Sequence, residues 1–93
     1  MADIKTYKYL IGSHIKVVRN SRHVSQETLA HTVGISRAYM GFIEQGRNMP
    51  RVEVLINISE ALNVTLSQLV DFNWIPAECD IEYQSDKVLY NER

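Results

Sequence analysis

The stretch VSQETLAHTVGISRAYMGFIEQG, residues 24–46, leaves few folds open, because it reads as two short helices joined by a tight turn. Ser25 is a good N-cap, and the polar start Gln26, Glu27 and Thr28 leads into an apolar seam of Leu29, Ala30 and Val33 at helical spacing. Gly34 stops that helix. Glycine meets no steric penalty in the left-handed backbone of a helix end, so Gly34 and Ile35 form the turn and Ser36 caps a second helix. The inward residues of that helix are Met40 and Ile43, three apart. Arg37, Ala38 and Gly41 are therefore expected on its outer face, with Gly46 just past its end.

The rest of the chain reads as helices around this pair. Residues 1–5 are expected to be loose. A first helix is expected over 6–21, where Ile11, Ile15 and Val18 recur as one buried stripe, flanked by Tyr7, Leu10 and His14. Arg19 falls near its end, and Arg22 and His23 follow in a loop where cations suit the helix dipole. Arg47-Asn48-Met49-Pro50 is a short polar connection, and Pro50 suits the opening of a fourth helix over 51–62 with Val52, Leu55, Ile58 and Leu62 as its core face. Asn63 tolerates a left-handed helix end, and Thr65 caps a fifth helix over 66–70 with Leu66 and Leu69 turned inward. In residues 71–93, Pro76, the early acids Glu78, Asp80 and Glu82, and the later Lys87 suggest a helix near 76–90, with an extended tail as the alternative. The expected class is all-α, a five-helix domain over 6–70 with a C-terminal extension over 71–93.

Composition narrows the function. A chain of 93 residues makes one small domain and a tail. The lone Cys79 cannot close an intramolecular disulfide, and no apolar run resembles a membrane span or a signal peptide, so a cytoplasmic protein is expected. The formal net charge of −1 hides a polarity along the chain: residues 1–51 hold 8 Lys/Arg against 3 Asp/Glu, and residues 52–93 hold 2 against 8. Phosphate binding follows the local field, so the basic half, which contains the helix pair, suits nucleic acid. His14, His23 and His31 lack the spacing of a helical metal pair, and no Gly-rich phosphate loop or nucleophile elbow is present. No catalytic residue, metal, cofactor or small-molecule ligand is expected, and Asn57, Glu60 and Gln68 read as solvated positions.

The order Ser-Gln-Glu-x-Leu-Ala-x-x-x-Gly-Ile-Ser-x-x-x-Met-x-x-Ile-Glu-x-Gly, within residues 11–69, closely resembles the phage-repressor (Cro/repressor, XRE-like) helix-turn-helix family. The resemblance implies a DNA-binding domain whose second helix of the pair, 36–45 here, enters the major groove while the first crosses the backbone. It assigns base contacts to Ser36, Arg37 and Ala38, and the close approach of backbone to DNA gives Gly41 a place beside them. It assigns backbone contacts to Gln26, Arg47 and Asn48, and Tyr39 is added as a phosphate donor. It also implies an ion pair between Arg19 and Glu44 that ties the first helix to the recognition helix. Phe42 departs from the pattern, falling where the family often has a polar base contact, and suits packing or a thymine methyl.

One such unit covers only a half-site, so a homodimer on a (pseudo)palindromic double-stranded operator is implied. Leu66, Val70, Phe72, Trp74 and Ile75 are more apolar residues than a small core can cover on one side, and they form the expected dimer interface. Small members of this family without an attached effector or catalytic domain are phage repressors or controller proteins of restriction-modification systems. The resemblance therefore implies an autoregulatory regulator that is not an enzyme. The competing expectation is an antitoxin-like interaction module that uses the acidic half for a protein partner and binds DNA secondarily.

Overall fold

The computed structural model describes residues 3–77. Five helices follow in order: α1 Ile4–Ser21, α2 Gln26–Val33, α3 Arg37–Glu44, α4 Val52–Ala61 and α5 Leu66–Leu69. No strand occurs among the described residues. The helix expected near 76–90 lies almost entirely outside them.

Capping explains most boundaries. Ser25 accepts from the Thr28 N–H, Ser36 from the Tyr39 N–H and Thr65 from the Gln68 N–H, each at 3.0 Å. Each hydroxyl satisfies one of the amide donors that a helix start leaves without an intrahelical partner. α1 begins earlier than residue 6 because Asp3 caps it, its carboxylate accepting from the Thr6 N–H at 3.0 Å and from the Thr6 hydroxyl at 3.1 Å. Gln68, expected to be solvated, completes a capping box: its side-chain oxygen accepts from the Thr65 N–H at 3.0 Å. Gly34 sits at φ 81° and Asn63 at φ 59°, the left-handed ends that their residue types suggested.

The core is Ile15 and Val18 of α1, Leu29 and Ala30 of α2, Met40 and Ile43 of α3, Val54, Leu55 and Ile58 of α4, then Leu62 and Leu69. Burying one such large aliphatic side chain contributes about 1.5–3 kcal/mol. α1 packs on α3 and α5, while α2 packs on α3 and α4. Two inward assignments fail. Val52 is 62% exposed, because periodicity reports the face of a helix and not how far along its axis the core extends, and burial in α4 begins at Val54. Leu66 is 38% exposed while Leu69 is fully buried, so on this four-residue helix only the second of the two leucines enters the core.

One glycine sets how closely two helices approach, and another is needed for its backbone conformation. A Cβ on Gly12 would collide with the Ile43 carbonyl oxygen, so α1 and α3 cross with their backbones touching. Gly34 has open space around it and is required for its φ alone.

Candidate nucleic-acid interface

The helix pair is held from behind by one buried polar cluster. Arg19 Nε donates to Glu44 Oε2 at 2.7 Å and Arg19 Nη2 to Glu44 Oε1 at 3.0 Å, a two-pronged pair in which the Glu44 side chain is 2% exposed. Arg19 Nη1 donates to the Val24 carbonyl at 2.8 Å, and Gln26 Nε2 donates to Glu44 Oε1 at 3.0 Å. The planar guanidinium fork matches the carboxylate, and the Gln26 amide adds a third donor to it. The cluster thus joins the end of α1, the start of α2 and the end of α3. Gln26, assigned to the DNA backbone, commits one amide donor to Glu44 and keeps the other.

With its rear locked, α3 presents a defined outer face. Ser36, Arg37 and Ala38 are exposed, as are Phe42 and Gln45. Ala38, Phe42 and Gln45 recur at four and three, one continuous stripe. Ser36 accepts the Tyr39 N–H, which leaves its own hydroxyl proton available to donate outward. Gly41 does not share this face. It is buried, and a Cβ there would point at the Gln26 side chain, 3.7 Å from its oxygen, because position 41 lies on the side of α3 that packs against α2. Tyr39 is half-buried against the core.

The connection after α3 is ordered by its own contacts. Gly46 takes φ 80°, and the Arg47 N–H donates to the Phe42 carbonyl at 2.9 Å. The Arg47 guanidinium lies over the Phe42 ring, its central carbon 4.5 Å from the ring centroid, and Arg47 Nη1 reaches the Gln45 side-chain oxygen at 3.4 Å. Arg47 and Asn48 are both exposed. Sequence spacing gives no sign of the cation–π pairing: Phe42 and Arg47 are five apart, and only the turn at Gly46 folds one over the other.

The other side of the domain carries the residues expected at a dimer interface. Leu66, Val70 and Ile75 are 38%, 39% and 49% exposed, whereas Phe72 and Trp74 are half-buried and Trp74 packs against the core. The segment is tied down by His14, a buried residue that the sequence left at the edge of its stripe. His14 Nδ1 and Nε2 meet the carbonyl oxygens of Leu69 and Trp74, each at 2.6 Å. Both partners accept, so a neutral ring can donate to only one of them and the imidazolium to both. Phe72 meets the His14 ring edge-on at 5.9 Å between centroids. Beside it a shallow depression of about 160 Å³ is lined by Leu10, Ser13, His14, Val17, Phe72 and Ile75. Arg22, just past the end of α1, donates to the carbonyls of Leu62 and Asn63 at 2.9 and 3.2 Å.

Among the described residues no three His, Cys, Asp or Glu side chains come together as a metal site, and no helix is long and apolar enough to cross a membrane.

Comparison with known proteins agrees with this geometry. The immunity repressor protein of Bacillus phage phi105 is 32% identical over 75 residues, covering 81% of this chain, which spans only 52% of that repressor's length. The control protein C.SmaI of Serratia marcescens is 30% identical over 63 residues, covering 68% of this chain and 75% of that one. Among solved structures, the restriction-modification controller protein C.AhdI from Aeromonas hydrophila superposes with a TM-score of 0.64 at 27% identity, over 67% of this chain and 94% of that chain. The sequence model of the helix-turn-helix family matches residues 15–69, from the buried stripe of α1 to the end of α5. With α2 and α3 joined at Gly34 and locked by Arg19 and Glu44, the chain belongs to the helix-turn-helix family of DNA-binding transcriptional regulators.

Proposed function

We propose that this chain is a sequence-specific regulator of transcription that acts as a homodimer on a (pseudo)palindromic operator near its own gene, as a phage-type repressor or a restriction-modification controller. The observation that carries the reading is the exposed first turn of α3, with Arg37 at its start, on a helix whose other sides are fixed by the core and the Arg19–Glu44 pair. A rigid helix with a free N-terminal face suits insertion into the major groove.

In this reading Arg37 donates two parallel hydrogen bonds to O6 and N7 of a guanine, Ser36 donates its hydroxyl proton, and the Ala38 methyl meets a thymine methyl. The burial of Gly41 removes it from the reading face and supports Phe42 in its place. Gln26, Tyr39, Arg47 and Asn48 serve the phosphates. Leu66 and Val70, at the end of the domain, form the dimer contact together with Phe72, Trp74 and Ile75 of the extension that begins at residue 71, and doubling the half-site makes occupancy steep in protein concentration. The protein works in the cytoplasm, without a cofactor or catalysis.

Arg37→Ala tests the reading on DNA from upstream of the gene. It is expected to weaken binding by about 1–3 kcal/mol per half-site and to flatten the preference at one symmetric base position. An equal loss on every sequence would make Arg37 a backbone clamp, and a wild-type protein that stays monomeric on a two-half operator would remove the dimer.

A further inference from the structure

The first turns of α1 lie outside the region that the family shares, since the match begins at Ile15 and the helix begins at Ile4. They are nonetheless placed against the interface. A Cβ on Gly46 would stand 2.9 Å from Tyr9 Cα and 3.3 Å from Tyr9 N, so the backbone of α1 abuts the turn that carries Arg47. From the outer face of α3 a path runs through Phe42, the Arg47 guanidinium stacked on it, Gly46 and Tyr9. The Tyr9 side chain is 61% exposed, and Lys5 stands one helical turn before it on the same side of α1, also exposed. The only described acid in these turns or at their cap is Asp3, whose carboxylate is occupied by Thr6.

We infer that Lys5 and Tyr9 form a second phosphate-contacting site that continues the DNA backbone contact of Arg47 onto α1. The ligand is the sugar-phosphate backbone of double-stranded DNA, which a lysine ammonium and a phenol hydroxyl meet as donors without reading sequence. The order along the path assigns the phosphates: Arg47 nearest the reading helix, then Tyr9, then Lys5 farther out on the same strand. The backbone at Tyr9 cannot move without displacing the Gly46 turn, so the stretch of α1 that carries the site is fixed relative to that turn. The inference rests on the DNA-binding reading above and adds to it a footprint longer than the helix pair alone would give.

The test uses the full chain with Lys5→Ala, Lys5→Arg and Tyr9→Phe, on operator and on random duplex, at 50 and 200 mM salt. Removing one charged partner of a phosphate makes the slope of log affinity against log salt shallower by about 0.9, so the deficit of Lys5→Ala is expected to shrink about 3-fold between the two salts, per chain bound. The loss should be the same on operator and random DNA, Lys5→Arg should restore both affinity and slope, and Tyr9→Phe should weaken both DNAs without changing the slope. Thermal melts of the three variants should match wild type, because both side chains stand in solvent. Phosphate ethylation interference should disappear at one position per half-site in Lys5→Ala, outside the position that Arg47→Ala removes. If Lys5→Ala and Tyr9→Phe bind as wild type while Arg47→Ala alters the slope, the α1 site is refuted and the DNA reading stands. A wild-type chain that binds neither DNA overturns both.

Discussion

α1 is fastened on two opposite sides, and the two fastenings differ in kind. Toward α3 it offers Gly12 and Arg19, which meet the Ile43 carbonyl and the Glu44 carboxylate. Toward α5 and the segment after it, it offers His14, which meets the carbonyls of Leu69 and Trp74. The first joins charged side chain to charged side chain and holds the reading helix. The second joins a side chain to backbone and holds the apolar segment proposed for dimer contact. Removing one end of a buried ion pair leaves an uncompensated charge and is more unfavourable than removing hydrogen bonds to backbone carbonyls, so the domain guards the angle of its recognition helix more strongly than the placement of its C-terminal segment.

Breaking the stronger side should have the largest effect. Glu44→Ala leaves the Arg19 guanidinium buried without its carboxylate, and a loss of about 3–5 kcal/mol is expected in denaturant unfolding. A midpoint equal to wild type would show that Arg19 finds water instead. His14→Ala removes the ring from the buried Leu69 carbonyl and the partly buried Trp74 carbonyl, and a smaller loss of about 2 kcal/mol is expected. It should be accompanied by a red shift of Trp74 fluorescence while amide exchange in α3 stays protected. Equal loss of protection in α3 would mean that the two sides of α1 are not independent. The double variant sharpens the point: the two losses should add within about 0.5 kcal/mol, because the sites share no partner.

Two weaker perturbations probe how tightly each part is fitted. On the α3 side, a methyl at Gly41 would meet Gln26 at ordinary contact distance, so Gly41→Ala should stabilise by up to about 1 kcal/mol through helix propensity. Destabilisation would reveal that α2 and α3 are packed more closely than the Gln26 contact indicates. Beyond both fastenings lies the start of α1. The Thr6 N–H holds the Asp3 carboxyl below the usual carboxylate range, and the group is fully exposed. A carboxyl lowered in the folded state contributes above its unfolded value and loses that contribution as pH falls through the folded value, so the first turn of α1 should fray on the acid side alone. Asp3→Asn keeps an N-cap oxygen without the titration, and its α1 amide shifts should be flat with pH where those of wild type move.

The family resemblance already made the Arg19–Glu44 pair expected, because both of its ends are side chains of telling type at matched positions. The His14 contacts had no such signature. Their partners are carbonyl oxygens of Leu69 and Trp74, which every residue carries, and the separations of 55 and 60 residues close only in three dimensions. Gly41 shows a related limit. Helical spacing separated it from Met40 and Ile43, but a short helix packed by neighbours on two sides has more than one buried face, and α2 covers the second.

What the sequence by itself determined is therefore local: helix starts at Ser25, Ser36 and Thr65, left-handed ends at Gly34 and Asn63, and the apolar stripes of the core. Each depends on residues within a turn or two of one another, where propensity and capping act directly. The crossing of α1 and α3 at Gly12, the stacking of Arg47 on Phe42, the contact of Tyr9 with the Gly46 turn and the His14 ties were decided by the tertiary structure. Those contacts depend on which backbones meet and at what distance, a property of the packed helices together that no single stretch of the chain carries.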